Sequence, residues 1–316
     1  MKNLSIITVG ICPAWDILCY GQELAWGLHK EIETTSFQPA GKAMNLSRAL
    51  AWMCQRNTAA GLWGQDDYEQ MLKAMKPLNK LIKVKITPVK GSTRQNITIV
   101  DTKKDREMHL RNKSELASKT ALRKLKADLK EIIKPGSVCV FAGAIPDDNF
   151  AITEVLRIIE LCKKRKVKIA VDTYGQALKS ALETGCIWLI KPNVEELREL
   201  LGKQIKGDPS SLVKAGQQLL AQVDIVFISR GKQGAIVVTK NGAWHGRCSD
   251  NKKVLSTVGC GDFLLGGFLK GLKEKSDTSL ALETAIKAAT ARAWGWTDKM
   301  SWPDAQDKIK VQVEQI

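Results

Sequence analysis

The sequence is poor in histidine and has no closely spaced cysteines. Three His and eight Cys occur in 316 residues, and no two cysteines have the Cys-x-x-Cys spacing. Zinc sites and disulfide frameworks need closer clusters of these residues. We therefore expect no metal-binding cysteines, and we expect the thiols to be reduced and buried in a cytoplasmic protein.

The sequence also lacks long apolar runs, internal repeats and low-complexity segments. No run approaches the ~20 residues of a membrane-spanning helix, and the 24 Gly and 9 Pro are dispersed. The apolar run at residues 4–9 is not followed by a small-residue cleavage site, so a first buried strand is favoured over a signal peptide. The composition, 44% hydrophobic and 26% charged, excludes disorder and predicts a folded chain.

Acidic residues are scarce relative to basic ones. Against 49 Lys and Arg there are 33 Asp and Glu, which gives a formal net charge of +16. Such a charge attracts phosphates, nucleic acids and anionic membranes alike. Trp294, Trp296 and Trp302 could stack on bases, but tryptophans at helical spacing near a terminus are more typical of packing. We therefore expect neither a nucleic-acid nor a membrane partner.

What the sequence does contain is an alternation of apolar strands and helices. Strand patterns occur at residues 4–9, 138–141, 168–172, 187–190 and 225–229. Amphipathic helices are predicted over residues 114–133 and 148–166, and an apolar helix over residues 279–296. This alternation predicts an α/β fold, a doubly wound and mostly parallel sheet with helices on both faces.

Two segments interrupt the alternation. Residues 17–38 and 87–111 have the period of strands with no helix between them. They predict a small antiparallel sheet off the main one, a discontinuous lid from about residues 11–40 and 87–111. No linker separates a second unit, so residues 1–316 are predicted to form one domain. Ligands would bind between the lid and the carboxyl ends of the strands.

The most informative segment is Gly259-Cys260-Gly261-Asp262. Apolar positions after it predict a helix, so the glycines would lie at a helix N-terminus where unpaired N–H groups can hold an anion. Asp262 would then stand where a hydroxyl that attacks a phosphate needs a base. Taken alone, the pattern fits an Asp N-cap on a glycine-rich turn equally well.

Further motifs show which family the chain resembles. Residues 259–262 are similar to the Gly-Ala-Gly-Asp signature of the ribokinase-like (PfkB) carbohydrate kinases, with Cys260 in place of Ala. Residues 39–50 resemble the family's Gly-Gly-Lys-Gly-x-Asn stretch, with Ala40 and Ala43 in place of two glycines. Residues 12–16, 93–96, 191–197 and 229–235 resemble motifs of its 1-phosphofructokinase and tagatose-6-phosphate kinase branch. The matches follow the family's order along nearly the whole chain.

The resemblance implies a role for each matching residue. Asp262 would be the catalytic base, and the anion hole would be formed by Gly259, Cys260 and Gly261. The acceptor sugar would be bound by Asp16, Gly41, Lys42, Asn45 and Arg94, with Arg94 on a phosphate that the sugar already carries. The nucleotide would be bound by Lys191, Asn193, Glu196, Ser229, Gly231 and Gly234. Asn193 and Glu196 would also organise Mg²⁺ through water.

Ordinary structural roles remain the alternatives for these residues. Lys42 and Arg94 fit solvated charges in a basic chain, and Asn193 with Glu196 fits a helix cap. Asp172 follows a predicted strand, where α/β sheets place polar site residues, and is a further candidate.

The function implied by the resemblance is ATP-dependent phosphorylation of a phosphorylated ketohexose. Fructose 1-phosphate, fructose 6-phosphate and tagatose 6-phosphate all stay open as acceptors. ATP and Mg²⁺ would be required, K⁺ is left open, and the chain would form a homodimer through its lid. The alternatives are a kinase of an unphosphorylated sugar or nucleoside, and a non-catalytic ATP-binding regulatory protein of the same fold.

The departures from the family pattern concern the acceptor and the turn. Ala40 and Ala43 would tighten the sugar pocket and restrict the backbone. In the lid, His29 or Lys30 would replace a phosphate-binding Arg, and residues 111–114 replace the branch's Asn-Glu-Pro-Gly. The thiol of Cys260 would make the site sensitive to oxidation.

Overall fold

The fold is described from a computed structural model, which describes residues 5–316. Leu4, part of the first predicted strand, lies outside the described residues. The strands are β1 Ile6–Gly10, β2 Ala14–Gly21, β3 Glu33–Ala40, β4 Asn57–Gly64, β5 Ile82–Val89, β6 Gln95–Asp101, β7 Arg106–Arg111, β8 Val138–Ala142, β9 Lys168–Asp172, β10 Ile187–Ile190, β11 Val223–Ser229, β12 Ala235–Thr239, β13 Gly242–Cys248 and β14 Val311–Gln315. The helices are α1 Lys42–Trp52, α2 Tyr68–Met75, α3 Lys119–Ile132, α4 Asn149–Lys164, α5 Gly175–Glu183, α6 Val194–Leu201, α7 Pro209–Leu219, α8 Cys260–Lys275, α9 Thr278–Ala293 and α10 Trp302–Lys308.

A large sheet forms the centre of the molecule. In the described chain it has ten strands, in the order β14-β13-β12-β11-β10-β9-β8-β1-β4-β5. The strands from β5 to β11 in that order are parallel, and β12, β13 and β14 join antiparallel at one edge. In the large sheet β4 and β5 lie on one side of β1, and β8, which follows them in the sequence, lies on the other side. Such a reversal opens a crevice at the carboxyl ends of the strands.

Helices cover both faces of this sheet, which confirms the predicted fold class. One apolar cluster joins the strands to α3, α4, α5, α6 and α7, with Leu125, Ile158 and Leu212 at its centre. The other joins them to α1, α8 and α9 through Leu50, Phe268 and others. Because both faces are covered, the central strands are continuous apolar runs, and β8 is buried at every position.

The small second sheet has the order β3-β2-β6-β7. Its β2 pairs antiparallel with β3 but parallel with β6, so the prediction of a purely antiparallel lid was wrong. Both strands leave the large sheet at its carboxyl edge, β2 after β1 and β6 after β5, and therefore run in the same direction. Thr87–Val89 was also misplaced, since these residues end β5 and pair with β4 in the large sheet.

Two other sequence-based expectations need correction. The helix predicted from residue 114 begins at Lys119, because the Ser118 side chain accepts a hydrogen bond from the Ala121 N–H at 3.2 Å and caps it. The cysteines are not all buried, since Cys54 is exposed and Cys12, Cys186, Cys248 and Cys260 are partly buried. Within residues 5–316 no helix is both long and apolar enough to cross a membrane.

Candidate active site

The Gly259-Cys260-Gly261-Asp262 turn lies where the sequence predicts it, at the N-terminus of α8. Gly259 is the N-cap residue and adopts a left-handed conformation with φ 80°. The N–H of Cys260 donates to the Thr257 carbonyl at 3.3 Å. The N–H groups of Gly259 and Gly261 make no hydrogen bond with described residues. Two backbone donors therefore remain available to an anion at the positive end of the helix.

Asp262 is buried behind this turn, with 5% of its surface exposed. Burial and then the charge of Asp172 raise the pKa of Asp262 to about 7. Lys42, Lys191 and a hydrogen bond from the Asn45 side chain act in the opposite direction. A carboxyl group with a pKa near neutrality is suited to accept a proton during catalysis.

Asp172 connects the two lysines near Asp262. Its Oδ1 lies 3.0 Å from the Nζ of Lys42 and 3.4 Å from the Nζ of Lys191. Burial opposes the charge on Lys42, but the attraction of Asp172 outweighs it and raises the pKa of Lys42. The Oδ2 of Asp172 is buried and has no hydrogen-bond partner among described residues. Lys42 is therefore held at the site by a carboxylate, although its side chain is still 34% exposed.

The half-buried thiol of Cys260 stays protonated at neutral pH. Burial raises the pKa of Cys260 to about 11, although the charge of Arg292 acts against this. Because the thiolate is the oxidisable form, this argues against the sensitivity to oxidation that the sequence suggested.

On the acceptor side, Asp16 lies on β2 among cations. The Nδ2 of Asn96 donates to its Oδ1 at 2.8 Å. Burial raises the pKa of Asp16, while Asn96 and the charges of Arg48, Arg111 and Arg94 act against this rise. More positive than negative charge therefore surrounds Asp16, which the sequence predicts to bind the acceptor.

Arg94 is anchored by carbonyl groups. Its Nε donates to the Pro13 carbonyl at 3.2 Å, its Nη1 to that of Asn112 at 3.4 Å and its Nη2 to that of Cys12 at 3.4 Å. No carboxylate in the described chain forms an ion pair with it. Its charge is thus fixed in position without an ion pair and, of the described carboxylates, only that of Asp16 acts on it, at longer range.

Ala40 and Ala43 line a cavity together with Pro13, Gly41 and Lys42, so the tighter sugar pocket stays a prediction. They are 1% and 5% exposed, and the Cβ of Ala43 packs against Gly10. Neither has a positive φ, since Ala40 ends β3 and Ala43 lies in α1. Ala43 also belongs to an apolar core cluster, and Gly41, between the two alanines, is the N-cap of α1.

The predicted nucleotide residues lie on neighbouring loops at the same edge. Asn193 and Glu196 form a reciprocal cap on α6, with two hydrogen bonds of 2.8 Å. The Ser229 N–H donates to the Pro192 carbonyl at 3.0 Å, which brings the β10 and β11 loops together. Gly231 and Gly234 close the turn that follows β11. The cap is the ordinary structural role considered above, and it leaves Oε1 of Glu196 without a hydrogen-bond partner among residues 5–316.

Sequence reasoning assigned no role to Arg48 or Arg292, and it gave Asp172 only as a secondary candidate. These residues come from α1, α9 and β9, and only the fold brings them together. For Arg48 a signal was present, since Lys42, Asn45 and Arg48 are spaced three residues apart and lie on one face of a helix.

The site joins a buried carboxyl group of raised pKa, free backbone donors at a helix N-terminus and several fixed cations. This arrangement at the carboxyl edge of a doubly wound sheet defines a phosphotransferase-like α/β protein.

Comparison with known proteins identifies the family. The model of the pfkB family carbohydrate kinases matches residues 3–294, so the chain belongs to this family. It is 29% identical over 294 residues to 1-phosphofructokinase of Escherichia coli strain K12, covering 90% of this chain and 89% of the relative. It is 26% identical over 275 residues to ATP-dependent 6-phosphofructokinase isozyme 2 of the same strain, covering 86% and 87%. The predicted enzyme class, an ATP-dependent sugar kinase, is confirmed.

A solved structure supports the fold. The crystal structure of phosphofructokinase-2 from Escherichia coli in complex with fructose-6-phosphate superimposes with a TM-score of 0.86 at 22% identity, covering 98% of both chains. At this identity the likeness concerns the fold alone.

Proposed function

We propose that this protein transfers the γ-phosphoryl group of ATP to a hydroxyl group of a phosphorylated ketohexose. The observation that carries the proposal is the charge of Arg94, which forms no ion pair with a described residue and is fixed by three carbonyls beside Asp16. A half-buried guanidinium group without a carboxylate partner suits an anionic acceptor better than a neutral one. The names of the relatives favour fructose 1-phosphate over fructose 6-phosphate and tagatose 6-phosphate.

In the proposed reaction Asp16 accepts hydrogen bonds from the sugar hydroxyls, and Arg94 binds the existing phosphate. Asp262 takes the proton of the attacking hydroxyl group. A bond forms between that oxygen and the γ-phosphorus as the bond from the γ-phosphorus to the β,γ-bridging oxygen breaks. ADP leaves with the bridging oxygen, and the N–H groups of Gly259 and Gly261 stabilise the charge on the phosphoryl group.

The nucleotide would bind at the loops after β10 and β11. Lys191 is 5% exposed and held by Asp172, so we assign it to the phosphates of ATP. We assign the rest of the nucleotide to the loops at this edge of the sheet, which carry Asn193, Glu196, Ser229, Gly231 and Gly234.

The residues present fit a Mg²⁺ ion that keeps most of its water ligands better than one whose ligands all come from the protein. No group of three or more His, Cys, Asp or Glu suited to a metal occurs in the described part of the chain. One oxygen of Glu196 bonds to no described residue, and Mg²⁺ commonly combines few carboxylates with water and substrate phosphates. When bound, the ion would neutralise charge on the triphosphate. A role for K⁺ stays a prediction.

An ADP-release assay with a panel of acceptors tests the proposal. We expect turnover with one phosphosugar, and we expect Arg94→Ala to raise the KM for that sugar at least ~10-fold because a charged hydrogen-bond partner is lost. Turnover with fructose or ribose, undiminished in Arg94→Ala, would instead support the kinase of an unphosphorylated sugar. ATP binding without turnover on any acceptor would support the regulatory protein.

A further inference from the structure

One face of α1 points toward the candidate active site at each turn. Lys42, Asn45 and Arg48 lie on this face and are only partly buried, whereas the neighbouring Leu46, Ala49 and Leu50 are fully buried. Lys42 forms an ion pair with Asp172, and the Asn45 side chain acts on Asp262 by lowering its pKa. Arg48 continues the row, but its guanidinium group makes no hydrogen bond or ion pair with any residue from 5 to 316.

Arg292 reaches the same region from the last turn of α9. Its Nε donates to the Val258 carbonyl at 3.0 Å and its Nη1 to the Thr297 hydroxyl at 3.3 Å. A Cβ atom placed on Gly259 would lie 3.5 Å from Nε of Arg292. The guanidinium group therefore borders the turn at which α8 begins. The nearest carboxylate oxygen, on Asp298, is 3.7 Å away on a side chain that is 76% exposed.

The two guanidinium groups are close enough to repel each other. Burial, followed by the charge of Arg292, lowers the pKa of Arg48, and Asp298 and Asp16 only partly oppose this. The one described carboxylate that acts on both arginines, that of Asp298, is 76% exposed, so it offsets the repulsion between these two partly buried charges only weakly. An anion between the two guanidinium groups relieves the repulsion. It also accepts hydrogen bonds from those of their N–H groups that bond to no described residue.

We propose that Arg48 and Arg292 form a two-arginine clamp that contacts the phosphoryl group while it is transferred from ATP to the sugar. We assign the transferred phosphoryl group to this clamp because of the residues beside it. Arg292 borders Gly259, and Arg48 follows Asn45, which acts on the proposed base Asp262. Arg94, the proposed ligand of the sugar's own phosphate, is anchored elsewhere, on the segments at residues 12–13 and 112. The clamp rests on the proposed function and adds two catalytic residues to it.

Calorimetry with Mg²⁺-ADP, with and without aluminium fluoride, tests the clamp without any sugar. Aluminium fluoride beside ADP imitates a phosphoryl group in transit. We expect it to tighten ADP binding to the wild type at least ~10-fold, and we expect Arg48→Gln and Arg292→Gln to abolish this tightening. The Kd of ADP alone should stay within about twofold. Arg247→Gln is the matched control, since Arg247 is exposed and, within residues 5–316, its guanidinium group bonds only to the side chain of Gln312, at 3.1 Å.

Steady-state kinetics give a second, independent readout. Both variants should lower kcat by about 10²-fold or more with little change in the KM for the sugar, because the clamp acts on the transferred group. Arg48→Gln removes a repelled charge, so its thermal midpoint should not fall. If Arg292→Gln fails to fold, Arg292→Lys replaces it in both experiments, because lysine keeps a positive charge and an aliphatic stem.

The outcomes separate the clamp from the proposed function. Tightening by aluminium fluoride that persists in both variants would overturn the clamp alone. Lost affinity for ADP itself, or a higher sugar KM at unchanged kcat, would also overturn it, since the pair would then bind nucleotide or the sugar's phosphate. A wild type that shows no tightening would count against the glycine turn as a phosphoryl site, and so against both proposals.

Discussion

Asp262 is the residue whose protonation state the proposed reaction depends on. Its pKa is raised to about 7 by burial and Asp172, and a base acts only when deprotonated. We therefore expect log(kcat/KM) for the sugar to rise with pH at a slope of one below about pH 7 and to level off above it. Activity is lost as the pH falls through the raised pKa.

The control for this profile is the residual activity of Asp262→Asn. The phosphate group of the sugar also titrates in this pH range, and its titration persists in the variant. Only the limb of the wild-type pH profile that is absent from the Asp262→Asn profile therefore belongs to Asp262. A wild-type limb with its midpoint near the ordinary aspartate pKa of 3.8 would contradict the assignment.

At the scale of elements, the turn between β11 and β12 requires glycine at position 234. Gly234 has φ 85°, and a Cβ there would lie 1.9 Å from the Gly246 carbonyl oxygen. We expect Gly234→Ala to destabilise the protein by about 3 kcal/mol, because backbone strain and a backbone clash add.

Gly202→Ala is the matched control for Gly234→Ala in urea denaturation. Gly202 ends α6 with φ 61°, and a Cβ there meets no atom within 4 Å, so the cost should be only about 1 kcal/mol. Equal losses of unfolding free energy in the two variants would contradict the account of the turn.

The elements that sequence predicted best are those whose burial is uniform. Lys168–Asp172 and Ile187–Ile190 were predicted to the residue because both faces of a central strand are apolar. The start of α3 and the parallel pairing of β2 with β6 were missed, since a serine cap and the order of strands in space leave little periodic signal. For the same reason Gly259 to Asp262 could be predicted from one local motif. Arg48 had only its helical spacing from Lys42 and Asn45 as a signal, and Arg292 had none.

At the scale of the whole molecule, the second sheet has two different faces. Strand register places Phe37, Ile17, Ile97 and Leu110 in one row across it. Met108 lies on the same face, and the opposite face carries Asp16 and Asn96. Phe37, Met108 and Leu110 are 40%, 43% and 45% exposed. A contiguous exposed apolar face is typical of an interface, which supports the predicted homodimer through the lid.

We expect the wild type to sediment as a dimer and Leu110→Asp to sediment as a monomer, because a charge would be buried in the apolar interface. His109→Asp is the matched control, since His109 is the neighbouring residue on the opposite face. A dimer that persists in Leu110→Asp would place the interface elsewhere.

The most direct test of the central claim is ³¹P NMR of ATP and fructose 1-phosphate mixed with the enzyme. The account predicts ADP and a ketohexose bisphosphate in equal amounts, formed at least ~10²-fold more slowly by Asp262→Asn and at the wild-type rate by the exposed-site control Asp224→Asn. Release of inorganic phosphate without a new sugar phosphate, or wild-type transfer by Asp262→Asn, would contradict it.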